Sequence, residues 1–407
     1  MKKHSPLRFG VAGIGVGASQ VLPPISNSPY SVLCAAADVN PRVRKGFSEA
    51  YPDARVYGGI EELCSDPDVE AVWISTPNRY HADHAVFAAE RGKHVLISKP
   101  MATSLAEADR IIEATRRHGV KLLVGHSLGF SPAIRRMASL TRADGRLGPV
   151  RAIQMMAFTD WMLLPRTAEE VDVSLGGGIV HRQAPHQIDT IRFLGGGMVR
   201  SVRGTVGQWA PERKAPGYYA GFLAFESGAV GTLSYNGYGY LVGPELVPWG
   251  ADAGISGNNV QQRAQYRARL KSGSLDEEAL KDAMRLGGGG RGLPAVRDAR
   301  KPWMPLHHGL VVVSCERGDV RHSAFGLYVY DDEGRSEIPV EDDGTWLGSD
   351  EIAELHHAVR ENKPIGRDGE WGMATLEVAM AIMQSQELGA EVVLRHQVPV
   401  RPAMLAE

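Results

Sequence analysis

The residues with the plainest chemical signature sit near the start of the chain, where Gly13-Ile14-Gly15-Val16-Gly17-Ala18 follows directly on the apolar run Leu7–Ala12. An apolar strand that feeds a glycine turn and then a helix is suited to holding a pyrophosphate. Glycines permit the tight turn and a close backbone approach, and the N–H groups that open the helix meet the negative charge. Gly13, Ile14, Gly15, Val16 and Ala18 form that cradle, the small Ala18 letting helix and strand pack closely. A second apolar run, Val32–Ala37, ends in Asp38, about 25 residues past Gly13 and near the spacing at which an acid meets the adenosine ribose. Together the two signals predict a dinucleotide site. Asp38 favours NAD because its charge repels a 2′-phosphate; Arg42 and Arg44, just downstream, would accommodate one, so NADP stays open.

Proton-handling groups come next. Lys99 follows the apolar run His94–Ile97. It is either a solvated surface lysine or a cation beside the ligand that lowers a hydroxyl's pKa, acting as base if desolvation depresses its own. His186 has a ring whose ordinary pKa suits proton transfer near neutrality. One continuous helix would bring Arg182, His186 and Asp189 to a single face, at i, i+4 and i+7. His186 is then either a general acid/base or a core histidine bonded to Asp189. Arg182 is either a bidentate clamp for a carboxylate or one half of an ion pair with a nearby acid. His126, after a strand end, and His307 and His308 are lesser candidates for lining a pocket. His181 and His186 miss the i, i+4 spacing of helical metal ligands and no H-E-x-x-H run occurs, so no metal is expected.

The surrounding pattern says what must position these groups. Up to residue 127, apolar runs at Val32–Ala37, Ala71–Ser75, His94–Ile97 and Lys121–Val124 alternate with helical periodicity, as in His81–Arg91 and Leu105–His118. Repeated βα units predict a parallel sheet covered on both faces, with ligands beyond the carboxyl ends of its strands. Those ends carry Thr76-Pro77-Asn78 and Ser98-Lys99-Pro100. The remainder, 128–407, reads as an α+β domain with a large, mostly antiparallel sheet. A Gly/Pro-bounded insertion at about 241–306 contains the basic helical stretch Gln261–Lys271. The 407 residues suit two domains. The net charge of −2 gives no reason to expect nucleic acid or an anionic membrane, and no apolar run nears the roughly 20 residues that span a bilayer. Cys34, Cys64 and Cys315, few and odd in number, suggest free thiols in a reducing cytoplasm.

With these residues in hand, the chain resembles the glucose–fructose oxidoreductase/inositol dehydrogenase (Gfo/Idh/MocA) family over nearly its whole length. The matches are the glycine turn, Asp38, the T-P-N-x-x-H run Thr76–His81, the pair Lys99-Pro100, and the G-G-G…H-x-x-D run ending in His186 and Asp189. The resemblance implies a Rossmann domain and an open-sheet domain with NAD(P) between them, the substrate over the nicotinamide. It implies homodimers or homotetramers built through exposed sheet faces. It places Thr76, Pro77, Asn78, His81, Lys99 and Pro100 at the cofactor, Lys99 and His186 in catalysis, and Arg182, Gln183, Asp189, His126 and His308 at the substrate.

A narrower resemblance is to phthalate 4,5-cis-dihydrodiol dehydrogenases, carried by Gly177–Asp189, Thr159-Asp160, His308–Glu316 and Asp368–Gly372. It implies oxidation of a carboxylated ring cis-diol to a catechol. Two positions depart from the wider family. Ser98 stands where most members have Glu, and Arg182 where sugar-oxidising members have Asp. The second departure turns a group that grips a sugar hydroxyl into a fixed cation, which favours a carboxylated substrate. A sugar, polyol or sugar-acid dehydrogenase is the alternative within the family. A non-catalytic NAD-binding regulator, kept open by Ser98, is the alternative from another class.

Overall fold

The structure, a computed structural model, describes residues 5–142, 144–250, 260–288, 301–306, 308–342 and 346–405. His307 and part of the predicted insertion lie outside the described residues. The chain forms two compact units: Met1–Ser127 with Glu278–Val296 and Thr345–Met373, and Leu128–Glu277 with Arg297–Gly344 and Ala374–Glu407.

The first unit is a six-stranded parallel sheet built from β1 (Leu7–Ala12), β2 (Ser31–Ala37), β3 (Arg55–Tyr57), β4 (Ala71–Ile74), β5 (His94–Ser98) and β6 (Leu122–Gly125). Its strand order is 3-2-1-4-5-6. The connecting helices are α1 (Ala18–Asn27), α2 (Pro41–Ala50), α3 (Ile60–Ser65), α4 (His81–Glu90) and α5 (Leu105–Arg117). Strands such as Ala71–Ile74 are buried along their whole length, as two covered faces require. The order reverses between β1 and β4, and a ligand crevice opens where neighbouring strands diverge in this way. The short β3 and α3 escaped the sequence pattern.

The second unit holds a nine-stranded sheet in the order 14-13-12-11-7-10-9-8-15. Its strands are β7 (Val150–Phe158), β8 (Val199–Gly207), β9 (Tyr218–Phe225), β10 (Val230–Asn236), β11 (Leu310–Cys315), β12 (Gly318–His322), β13 (Gly326–Asp331), β14 (Gly334–Pro339) and β15 (Val392–Val393). Among the described residues, its strand pairings are antiparallel except that of β10 with β7. The unit's helices include α6 (Pro132–Leu140), α7 (Gly178–Arg182), α8 (Ala184–Gly195) and α9 (Val260–Lys271). No described helix is long and apolar enough to cross a membrane.

The later helices depart from a simple split at residue 127. After α10 (Glu277–Ala283), the helix α11 (Trp346–Arg360) does not belong with the second sheet as the expected 128–407 domain would have it. Its apolar stripe, Ile352, Leu355 and Ala358, is buried in one core with Leu7, Phe9, Ile25 and Phe47. Removing each large aliphatic side chain from water contributes about 1.5–3 kcal/mol, enough to recruit a distant segment to the first sheet. Part of the predicted insertion joins this unit too: the Cα of Gly287 lies 2.7 Å from where a side chain on Gly46 in α2 would begin.

Candidate active site

In the first unit the glycine turn has the geometry its sequence predicts. Gly13 sits at φ +84°, and a Cβ there would come within 2.9 Å of the Ser75 backbone. A side chain at Gly15 would meet nothing within 4 Å, so the turn opens onto space. Gly17 is the N-cap of α1 and supplies no side-chain cap. Bare backbone, open space and an uncapped helix start suit a pyrophosphate. Asp38 Oδ2 accepts the Ile14 N–H at 2.8 Å and Oδ1 the Asn40 N–H at 2.8 Å, fixing the carboxylate at the turn. Arg44 is committed elsewhere, its Nη1 donating to the carbonyls of Asp38 at 2.8 Å and Val39 at 3.0 Å. Arg42 pairs with Asp282 of α10. Both arginines considered for a 2′-phosphate are therefore engaged by the protein, and the residues fit NAD.

At the ends of β4 and β5 the two predicted loops are tied together. The buried His81 has Nε2 2.8 Å from the Thr76 carbonyl oxygen and Nδ1 2.8 Å from that of Pro100. His81 therefore ties these two loops together. The Thr76 hydroxyl lies 3.0 Å from His84 Nδ1, Asn78 is buried and Pro77 exposed. Lys99, half-buried, precedes Pro100 through a cis peptide. Ser98 accepts the Trp73 indole N–H at 3.1 Å, so the residue replacing the family's Glu is packed as a neutral partner. His126 is buried just after β6.

In the second unit the expected single helix is broken, which corrects the predicted common face of Arg182, His186 and Asp189. Gln183 lies between α7 and α8, its φ of −118° distorted though still right-handed, and Pro185 stands in the first turn of α8. Proline lacks the N–H that a continuous helix would need there and its ring crowds the preceding turn. Arg182 thus ends α7, whereas His186 and Asp189 belong to α8. The His186 ring meets the edge of His308, centroids 4.7 Å apart. Asp189 is fully buried, and Gln183 is half-buried. His181 Nδ1 lies 3.2 Å from the Gly177 carbonyl, and burial lowers the ring's pKa.

Arg182 donates to Glu170 at 3.1 Å, so the ion-pair alternative is realised. Glu170 also faces Arg166, whose guanidinium stacks 3.9 Å over Trp161. Neither Arg166 nor Glu170 was singled out from the sequence, although their i, i+4 spacing is the signal that could have found them. Among the described residues, one His/Glu group, His356, His357 and Glu361, brings possible metal-ligand atoms within 4.8 Å. Glu361 there is already held by His357 at 2.8 Å and Lys363 at 2.9 Å.

A doubly wound sheet with a bare glycine turn and an acid at the second strand defines a dinucleotide-binding domain. Comparison with known proteins gives the family. Residues 7–126 match the oxidoreductase family with an NAD-binding Rossmann fold, and residues 135–242 match the GFO/IDH/MocA C-terminal domain. The chain belongs to the Gfo/Idh/MocA family. It is 34% identical to the 1-carboxy-3-chloro-3,4-dihydroxycyclohexa-1,5-diene dehydrogenase of Comamonas testosteroni over 93% of this chain and 94% of that one. A crystal structure of a Bordetella bronchiseptica RB50 protein is 34% identical, with TM-score 0.85, covering 96% of this chain and 100% of that one. An Agrobacterium radiobacter oxidoreductase solved with NAD+, L-tartaric acid and magnesium shares the fold at 16% identity, TM-score 0.70, over 95% of this chain and 98% of that one.

Proposed function

We propose that the protein oxidises a cis-dihydrodiol on a ring bearing a carboxylate to the corresponding catechol. Bound NAD+ supplies the hydride acceptor. Lys99 lowers the pKa of the reacting hydroxyl as a nearby cation, His186 takes its proton, and Arg182 holds the carboxylate. Loss of hydride and proton leaves a hydroxy-enone, which tautomerises to the aromatic ring, so the forward direction is strongly favoured. The protein need only hold the carbinol carbon in place and accept one proton.

The observation that carries this reading is Arg182, a cation where sugar-oxidising members place an acid, its side chain 29% exposed beside Glu170. Such a guanidinium can exchange an internal carboxylate for one on a ligand. The Comamonas relative, named for a carboxylated dihydroxycyclohexadiene, supports the same substrate class. Three free thiols, each raised by burial, suit a cytoplasmic protein. Met156 and Phe222, exposed on the second sheet, suit assembly of copies into a homodimer or homotetramer.

The test compares initial rates of NAD+ reduction with a carboxylated cis-dihydrodiol, its uncharged analogue and a panel of sugars and polyols. Arg182→Ala is expected to raise KM for the carboxylated substrate about 10-fold or more, the size of one charge-assisted hydrogen bond, and to leave the analogue nearly unchanged. Equal effects on both refute the clamp. Activity confined to sugars removes the dihydrodiol reading.

A further inference from the structure

Arg166, Glu170 and Arg182 form a charge triad within the second unit. One oxygen, Glu170 Oε1, serves both cations, with Arg182 Nη2 at 3.1 Å and Arg166 Nη1 at 3.7 Å. The other oxygen accepts the Thr167 N–H at 3.0 Å, which anchors the carboxylate. Arg166 is anchored as well: its Nε and Nη2 donate to the Trp161 carbonyl at 3.3 and 3.2 Å. Only a tenth of the Arg166 and Glu170 side chains is exposed, against 29% for Arg182. Burial draws Arg166 down to about 10, with Glu170 opposing, so it stays a cation at neutral pH. The neighbouring cation, Arg213, has an acid of its own, bonding both oxygens of Glu277 at 2.7 and 2.8 Å.

Two guanidiniums therefore share one fixed carboxylate, and the more exposed of the two is the one that a ligand can reach. We propose that this triad is a subsite for a single ring carboxylate, in which Glu170 stays with Arg166, Arg182 turns to the ligand, and Glu170 repels a second, adjacent carboxylate. The inference rests on the carboxylated-ring reading above and sharpens it, favouring a ring with one carboxylate over the vicinal dicarboxylate that the resemblance to phthalate 4,5-cis-dihydrodiol dehydrogenases implies. A ring with one carboxylate neutralises the triad. A vicinal dicarboxylate brings a further negative charge against the anchored Glu170, and unscreened like charges at such distances discriminate strongly between ligands. Arg166 and Glu170 thereby act as specificity residues that set the number of carboxylates accepted.

The test is calorimetric titration of the full chain, saturated with NAD+, with benzoate and with phthalate as probes. Wild type is expected to bind benzoate more tightly than phthalate, and Arg182→Gln to weaken benzoate about 10-fold or more. Glu170→Gln, which retains an acceptor for the Thr167 N–H, is expected to shift the phthalate-to-benzoate affinity ratio about 10-fold or more towards phthalate. Melting temperature and circular dichroism establish that the variant is folded, and Glu170→Ser gives the same reading should the Gln chain be unstable. An unchanged ratio, with benzoate still bound in an Arg182-dependent way, overturns the triad proposal and leaves the carboxylated-ring reading intact. Phthalate binding to wild type as tightly as benzoate also overturns the triad proposal. Binding of neither acid to wild type overturns both.

Discussion

Glu351 offers a pH-dependent handle on the stability of the first unit. It lies fully buried on α11, and burial raises its carboxyl from 4.5 to about 7, with the Ser127 hydroxyl and Arg367 opposing the rise. A carboxyl with a raised folded pKa binds its proton more tightly in the folded chain than in the unfolded one. Its neutral form is accommodated at low pH, and stability falls as the pH climbs from about 4.5 through about 7, then levels off. A displacement of that size corresponds to roughly 3 kcal/mol across the window. Glu351→Gln places a neutral side chain of the same shape at the site and removes the loss. The variant should match wild type near pH 4.5 and exceed it by up to roughly 3 kcal/mol at pH 8, raising the melting temperature by several degrees. Thermal unfolding followed by circular dichroism between pH 4.5 and 8 measures the difference directly. Parallel profiles for the two proteins would show that Glu351 does not hold its proton more tightly on folding, and the reasoning fails.

Three further outcomes are expected. Lys99→Met should lower kcat by about 10²–10⁴-fold, the range of one proton-handling group; an unaltered kcat removes Lys99 from the chemistry. Asp282→Asn should release Arg42 and raise affinity for 2′-phospho-ADP-ribose over ADP-ribose about threefold, the modest size reflecting an exposed pair. Asp38→Ala, in the same calorimetric titration, should weaken ADP-ribose binding. No change of ratio in Asp282→Asn places Arg42 away from the ribose 2′ position, and undiminished ADP-ribose affinity in Asp38→Ala removes the ribose contact.

What could be read from the sequence was local. Gly13 is demanded by its own φ of +84°, a constraint that acts within one βα unit, so the glycine pattern announces it; the crowding by the Ser75 backbone after β4 is long-range and is not announced there. The placement of α11 was not legible, because an amphipathic stripe such as Ile352, Leu355 and Ala358 states that a helix is buried and not which sheet buries it. The loop-tying role of His81 was not legible for a related reason: it rests on the backbone carbonyls of Thr76 and Pro100, and backbone acceptors leave no mark in a sequence pattern.

The break between α7 and α8 shows where helical periodicity misleads, because Pro185 overrides it. Periodicity alone joined Arg182 to His186 and Asp189, whereas the missing proline N–H ends that continuity before α8 begins. The break separates two jobs. Arg182 takes its direction from α7 and from Glu170, which is anchored by Thr167. His186 takes its direction from the first turn of α8, where its carbonyl accepts the Thr190 hydroxyl at 3.1 Å and its ring meets His308. A continuous helix would have forced the cation and the imidazole into one fixed spacing. Two short helices allow the group proposed to hold a carboxylate to change without moving the group proposed to take the proton.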